Sequence, residues 1–158
     1  MSLSLVVLGA GDLGLRAATL RAGQGDAVWA LRRRNLPMPD GIHALYGDMQ
    51  DTETLRLLPF KPDVLLFCPT PDERTEQAYR RTYVEALRTA EQTLQPKRVL
   101  LVSSTAVYAQ NNGQWLDENS PAEADSFNGR VLREAEELCL CRPGNTVLRL
   151  SGITGPGR

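Results

Sequence analysis

The sequence contains little of what metal sites, disulfide frameworks and membrane segments require. It has one histidine, His43, and three cysteines, Cys68, Cys139 and Cys141, whose spacing matches no metal-ligand pattern. An odd, unpatterned set of cysteines favours reduced thiols in the cytoplasm over disulfides. The chain has no long apolar segment and no basic start, so we expect neither a membrane span nor a signal peptide. A formal net charge of −1 gives no overall field that would attract nucleic acid or an acidic membrane.

Apolar runs and amphipathic stretches alternate along all 158 residues, which is long enough for one domain with its own core. The runs predict strands at Leu5–Leu8, Ala27–Leu31, Ala44–Tyr46, Val64–Phe67, Val99–Val102 and Val147–Leu150. The amphipathic stretches predict helices at residues 12–23, 51–58, 72–94 and 126–141. This alternation predicts an α/β fold: a doubly wound parallel sheet of the Rossmann type, with about six strands in a three-layer αβα arrangement.

The first strand runs directly into Gly9-x-Gly11-x-x-Gly14, and a helix is predicted to follow. Gly9 permits a sharp turn, Gly11 lets phosphates approach the backbone, and Gly14 lets the helix pack closely on the sheet. The amide groups at the helix start favour an anion. We therefore expect a dinucleotide pyrophosphate at this turn, with Asp12 and Leu13 included in the cofactor site.

Three arginines, Arg32, Arg33 and Arg34, follow the second strand, and no acidic residue occurs before Asp40. At this position of a dinucleotide site an acid binds the ribose 2′-hydroxyl, whereas arginine accommodates a 2′-phosphate. The sequence therefore predicts NADP(H) as the preferred cofactor, with NAD(H) as the alternative. The other interpretation of the arginines is a solvated basic loop.

Further candidate residues follow the later strands. Asp48 is placed to accept a hydrogen bond from the adenine amino group, and Met49 to pack on the ring; the alternative is an ordinary turn and helix cap. Pro69 and Thr70 follow the fourth strand and are expected to line the cofactor. Hydroxyl groups at the end of the fifth strand, including Ser103, are expected to face the nicotinamide.

Five motifs in order resemble the extended short-chain dehydrogenase/reductase superfamily, also called the NAD-dependent epimerase/dehydratase family. They are Gly9–Gly14, Gly47-Asp48, Ser103–Tyr108, Asp117–Pro121 and Leu148–Arg158. The resemblance covers essentially the whole chain. It implies a nicotinamide cofactor and a small hydroxylated or carbonyl substrate.

The resemblance also implies a set of catalytic positions. Ser104 matches the serine or threonine that polarises the substrate oxygen. The family's Tyr-x-x-x-Lys pair aligns with Ser126 and Arg130, a departure typical of atypical members that have lost the standard catalytic pair. A serine hydroxyl is a far poorer proton donor or acceptor than an activated phenol, and helix capping is the alternative role for Ser126. Tyr108, the only tyrosine that the sequence indicates near the site, either replaces the missing acid or packs beside the nicotinamide.

Family members continue for roughly a hundred residues past the last motif. The resemblance therefore implies either that the chain, ending at Arg158, is a truncated form of a longer protein, or that the domain acts alone or with a partner. Two functions stay open at this point. One is an NADP(H)-dependent oxidoreductase or epimerase, and the other is a non-catalytic NADP(H)-binding sensor. The apolar stripe of the helix predicted at 72–94 either forms a homodimer face, as the family resemblance implies, or simply covers the sheet.

Overall fold

A computed structural model describes residues 2–155, so residues 156–158 of the last motif lie outside the described part. Six strands form one sheet, and every pair of neighbours is parallel. They are β1 (Ser4–Leu8), β2 (Ala27–Arg32), β3 (Ile42–Tyr46), β4 (Val64–Phe67), β5 (Arg98–Ser104) and β6 (Thr146–Leu150). Their order in the sheet is β3-β2-β1-β4-β5-β6.

From β1 the chain adds β2 and β3 on one side of the sheet, and it then adds β4, β5 and β6 on the other side. The strand order therefore reverses between β1 and β4. Leu8 of β1 pairs with Leu31 of β2 on one side and with Phe67 of β4 on the other. The carboxyl ends of these three strands therefore meet at one edge. Ligands of open α/β sheets bind in the crevice outside this edge.

The helices flank the sheet on both faces. They are α1 (Asp12–Gly23), α2 (Thr52–Arg56), α3 (Glu76–Tyr79), α4 (Ala86–Leu94) and α5 (Phe127–Leu140). Because strand side chains alternate between faces, Leu5 and Val7 pack in the core under α1, whereas Val6 and Leu8 pack in the core shared with α2, α4 and α5. The predicted doubly wound parallel sheet and its three layers are confirmed.

The helix predicted over 72–94 was wrong in its start and in its continuity. It begins only at α3, where the Thr75 hydroxyl caps it by accepting the Ala78 amide at 3.2 Å. Between α3 and α4 the residues Arg80–Glu85 form a π-helical segment, and local spacing rules do not foresee such an insertion. The apolar stripe of this region packs against the sheet, with Leu87, Ala90 and Leu94 all buried.

Candidate functional site

The glycine turn between β1 and α1 is as closely packed as its spacing predicted. Gly9 has φ +95°, and a β-carbon there would lie 2.4 Å from the carbonyl oxygen of Cys68. A β-carbon on Gly14 would lie 2.4 Å from the carbonyl oxygen of Gly9. The turn is therefore pressed between the start of α1 and the end of β4, and only glycine fits at these two positions.

Gly11 differs, because a β-carbon on it would meet no atom within 4 Å. It precedes α1 as the N-cap residue, and no side chain caps the helix start. A helix start of this kind presents the backbone amides of its first turn toward a ligand. Asp12 and Leu13 follow in the first turn, where the Asp12 carboxylate accepts a hydrogen bond from Arg16 at 2.8 Å.

A groove of about 560 Å³ lies between the glycine turn and the loop after β2. We call it the arginine groove, since Arg32, Arg33 and Arg34 all line it. Gly9, Ala10, Gly11, Leu31, Leu36, Met49, Cys68, Thr70 and Asp72 complete the lining. The residues predicted to contact the adenosine half of the cofactor, Arg32, Arg33 and Met49, thus line one groove. Asp48, which was predicted with them, does not line it.

The three arginines have different partners. Arg33 donates hydrogen bonds through both Nη1 and Nη2 to the carboxylate of Asp72, on the loop after β4. This ion pair raises the pKa of Arg33 and lowers the pKa of Asp72. Arg32 reaches the Pro37 carbonyl at 3.5 Å, and Arg34 is exposed. Asp72 was not predicted as a site residue, because it lies 39 residues after Arg33 and not in the loop after β2.

Asp48 and Met49 both follow β3. The Asp48 carboxylate is exposed and accepts the Gln50 amide at 2.9 Å, as in the ordinary turn that was the alternative interpretation. Asp51 then caps α2 by accepting the amides of Glu53 and Thr54. Met49 is half-buried and packs against the core while still lining the arginine groove.

A second cavity, of about 320 Å³, lies on the other side of the glycine turn. We call it the serine pocket, because Ser104 lies in it at the carboxyl end of β5. Its other lining residues are Gly9, Gly11, Asp12, Leu13, Gly14, Cys68, Pro69, Thr70, Tyr83, Val102, Ser103, Leu150, Ser151 and Ile153. The two cavities share Gly9, Gly11, Cys68 and Thr70. They are therefore arranged as neighbouring halves of one trough across the sheet edge.

The two serines at the end of β5 have different environments. Ser104 Oγ accepts the Ala106 amide at 3.1 Å, and this bond does not use its hydroxyl hydrogen. Ser103 is buried and its hydroxyl donates to Glu136 Oε1 at 2.6 Å. The Ser104 hydroxyl therefore keeps a hydrogen that it can donate to a ligand, as expected. The Ser103 hydroxyl already donates its hydrogen to Glu136 of α5.

Glu136 is the centre of a polar network that the sequence analysis missed. Its side chain is only 2% exposed, and it pairs with Arg149 of β6 at 2.7 Å. Arg149 also donates to the Tyr108 hydroxyl at 3.0 Å. A signal was present in the sequence, since Glu136 lies four residues after Leu132 and three before Cys139, on the buried side of α5.

The structure does not bring Tyr108, Ser126 or Arg130 into the serine pocket. Tyr108 donates its hydroxyl to the Asp117 carbonyl at 2.7 Å and lines a separate cavity along β6. Ser126 occupies the N-cap position of α5, although its side chain makes no capping hydrogen bond. Arg130 lies on the exterior, where it donates to the Asp125 carbonyl and approaches Glu76 at 3.8 Å.

The tyrosine that does line the serine pocket is Tyr83, in the π-helical segment. This corrects the expectation that Tyr108 is the only tyrosine near the site. The Tyr83 hydroxyl donates to the Pro69 carbonyl at 3.3 Å. Burial raises its pKa to about 12, so the phenol stays protonated at neutral pH. Its helical spacing from Tyr79 and Leu87 suggested only a core position.

Among residues 2–155, no three histidine, cysteine, aspartate or glutamate side chains are grouped so that they could hold a metal ion. Within the same range, no helix has the length and apolar character needed to cross a bilayer.

The fold and the glycine turn define a Rossmann-type α/β domain, and solved structures share it. A Methylobacillus flagellatus protein described as an NAD-dependent epimerase/dehydratase is 38% identical to the chain, with a TM-score of 0.84. The match covers 100% of this chain and 57% of that one. The Bordetella bronchiseptica enzyme WbmG, solved with NAD and UDP, is 19% identical over 99% of this chain and 55% of its own, with a TM-score of 0.80. WbmH from the same organism, solved with NAD⁺, has 16% identity and a TM-score of 0.82, over 99% of this chain and 58% of its own.

The match with the Methylobacillus protein confirms the resemblance to the NAD-dependent epimerase/dehydratase family, within the extended short-chain dehydrogenases/reductases, that the motifs predicted. The chain spans 57% of the length of the Methylobacillus protein. No model of a known protein family matches the sequence, and no curated protein matches it.

Proposed function

We propose that this chain is the cofactor-binding part of an NADP(H)-dependent oxidoreductase or epimerase of the atypical short-chain dehydrogenase/reductase type. Its substrate would be a small hydroxylated or carbonyl metabolite. The pyrophosphate would lie against the amides at the start of α1, the adenosine in the arginine groove and the nicotinamide in the serine pocket. The solved neighbours that hold NAD support a nicotinamide dinucleotide in this trough.

The observation that carries this proposal is the position of the three arginines beside the glycine turn. Arg32, Arg33 and Arg34 line the same groove as Gly9 and Gly11, and the carboxylate in its described lining, that of Asp72, comes from the loop after β4 and not from the end of β2. Guanidinium groups bind phosphate through paired N–H donors. A 2′-phosphate would therefore find charge and geometry suited to it, which favours NADP(H) over NAD(H).

The residues of the serine pocket fit a hydride transfer. When bound, the nicotinamide supplies the hydride to a substrate carbon or accepts it. Ser104 is placed to donate its hydroxyl hydrogen to the substrate oxygen, which would stabilise the negative charge that develops there. The carboxyl end of β5 holds this hydroxyl in place through the bond from the Ala106 amide.

In this proposal Tyr83 is the acid that protonates the substrate oxygen. With a bound cofactor that would supply the hydride to the carbonyl carbon, the Tyr83 phenol would give its proton to the carbonyl oxygen and would then take one from water. Burial raises the pKa of this phenol to about 12, so it would hold the proton at neutral pH. The phenol would first leave the Pro69 carbonyl, to which it is bound at the long distance of 3.3 Å.

The test of the cofactor assignment is a fluorescence titration of the purified chain with NADPH and NADH. We expect NADPH to bind at least about tenfold more tightly, since the arginines contact only the extra phosphate. Arg34→Gln should weaken NADPH binding and leave NADH binding nearly unchanged. Arg88→Gln, on the exposed side of α4, is the control for lost charge. Equal or tighter binding of NADH would overturn the NADP(H) preference.

A non-catalytic sensor of NADP(H) is the second candidate. It is favoured by the positions of Tyr108, Ser126 and Arg130, none of which lines the serine pocket. The two functions are distinguished by NADPH oxidation with a panel of small aldehydes and ketones. Turnover that Ser104→Ala and Tyr83→Phe both reduce would support the enzyme, with Tyr108→Phe as the control. Tight NADPH binding without turnover would support the sensor.

Two further expectations belong to the proposal. Location in the cytoplasm agrees with Cys68, Cys139 and Cys141, which are all free thiols.

A homodimer through residues 72–94 stays a prediction. The apolar stripe of this region already packs against the sheet, and its exposed residues Arg81, Glu85 and Arg88 are charged. Sedimentation velocity of the chain would measure its oligomeric state directly.

A further inference from the structure

We propose that Asp72 sets how strongly the arginine groove discriminates between the two nicotinamide dinucleotides. Its carboxylate competes with the 2′-phosphate for the guanidinium group of Arg33. This inference rests on the proposed function only in assuming that the groove receives the adenosine end of a cofactor.

The competition follows from how the two side chains meet. Arg33 comes from the loop after β2 and Asp72 from the loop after β4, so they face each other from opposite sides of the groove that both line. Nη1 of Arg33 donates to Oδ2 of Asp72, and Nη2 donates to Oδ1. This two-point geometry is the one that a guanidinium group also offers to phosphate oxygens. The carboxylate and a phosphate therefore cannot both occupy that fork.

The ion pair is exposed enough to exchange. The side chains of Arg33 and Asp72 are 54% and 65% exposed, respectively. Exposed ion pairs contribute little to stability, because water and salt screen them. A 2′-phosphate carries more negative charge than a carboxylate, so it would displace Asp72 from Arg33. The displaced carboxylate would remain at the groove and repel the phosphate, which lowers the affinity further.

A cofactor without the 2′-phosphate has no group that needs the Arg33 fork. The ribose hydroxyl is neutral, so Arg33 and Asp72 stay paired while it binds. Asp72 therefore lowers the affinity for NADPH and has almost no effect on the affinity for NADH. The three arginines favour NADPH, and Asp72 limits that preference.

The test is the change of Asp72→Asn, followed by fluorescence titration with NADPH and with NADH. We expect NADPH to bind about threefold to tenfold more tightly, from the loss of one exposed ion pair and of the repulsion. NADH binding should change by less than about twofold. Glu73→Gln is the matched control, because it removes one negative charge from the neighbouring exposed residue, which does not line the groove. An unchanged ratio of the two dissociation constants would overturn the proposal, as would an equal effect of Glu73→Gln.

A double-mutant cycle tests whether Asp72 acts through Arg33. In an Arg33→Gln background, Asp72→Asn should change the NADPH affinity much less than it does in the native chain. A full effect in that background would contradict competition for the fork. Thermal unfolding of each variant shows that it is folded.

The outcome separates this inference from the proposed function. A native chain that prefers NADH contradicts the NADP(H) assignment, and the shift of the ratio in Asp72→Asn still decides the role of Asp72. A native chain that prefers NADPH, with no shift in Asp72→Asn, keeps the proposed function and overturns the inference.

Discussion

A β-carbon on Gly14 would lie 2.4 Å from the carbonyl oxygen of Gly9, five residues earlier in the same turn. The thiol of Cys68 completes this contact, because it donates to that carbonyl at 3.2 Å and would lie 2.8 Å from the same β-carbon. Gly9, Gly14 and Cys68 therefore form one packed unit that holds α1 against β4. Gly11 lies outside this unit, so packing and ligand access are separated within a single motif.

Gly14→Ala is expected to destabilise the fold, since backbone atoms on both sides of the turn would have to move. Overpacking of this kind costs about 1–3 kcal/mol, and a contact with backbone favours the upper part of that range. The free energy of unfolding in urea measures it. A change below about 0.5 kcal/mol would show that the turn relaxes without cost.

Gly11→Ala is the matched variant, with the opposite expected result. Its φ of −79° suits any residue, and a β-carbon there meets no atom within 4 Å. The fold should lose less than about 1 kcal/mol, through a poorer N-cap. NADPH affinity should fall about tenfold or more, because the methyl group would occupy the space that a pyrophosphate needs. Undiminished NADPH binding would contradict the assignment of the phosphates to this turn.

The architecture could be predicted from the sequence because local patterns determine it. The apolar run predicts β4 with the bounds that the structure shows, Val64–Phe67. The glycine spacing likewise predicts the start of α1 at Asp12. The contacts of Asp72 and Tyr83 could not be predicted, since each depends on where a distant segment crosses. Asp72 meets Arg33 across 39 residues of sequence. Tyr83 reaches the pocket from a π-helical segment that local spacing rules do not foresee.

The Glu136–Arg149 pair is expected to stabilise the attachment of α5 to the sheet. Glu136→Ala would leave Arg149 without a carboxylate partner and Ser103 without its acceptor, which should cost about 3 kcal/mol. Glu137→Ala is the control on the next residue, because its i,i+4 pair with Arg133 is exposed and should contribute less than about 0.5 kcal/mol. Urea unfolding of both variants checks this. An equal decrease in the free energy of unfolding of both variants would show that the buried Glu136–Arg149 pair stabilises the fold no more than the exposed pair does.

Asp63 is expected to make the stability of the fold depend on acid pH. Its carboxylate accepts hydrogen bonds from the Ser4 amide at 2.9 Å and from Lys97 at 2.6 Å. These contacts hold its pKa well below the usual value. A carboxyl whose pKa is lower in the folded state than in the unfolded state stabilises the fold above the unfolded pKa, about 3.9. That contribution is lost as the pH falls toward the folded pKa.

The variant Asp63→Asn tests this pH dependence. Its urea midpoint should lie below that of the native chain at pH 7, and the difference should shrink below about pH 4, as the native carboxyl becomes protonated. Asp40→Asn, which changes an exposed carboxylate, is the control for net charge. A difference that stays constant from pH 7 to below about pH 3 would show that the interaction does not require the ionised carboxylate.

The three cysteines are expected to react very differently with a thiol reagent. Burial raises the pKa of Cys68 and of Cys139 to about 12, so neither forms appreciable thiolate at pH 8, whereas Cys141 is exposed. Because the thiolate is the reactive species, Ellman's reagent should label one thiol rapidly in the folded chain and all three after unfolding. Cys141→Ser should abolish the rapid phase. Rapid labelling of Cys68 in that variant would mean that its thiol is not held against the Gly9 carbonyl, and the packed unit beneath the glycine turn would then be open to solvent.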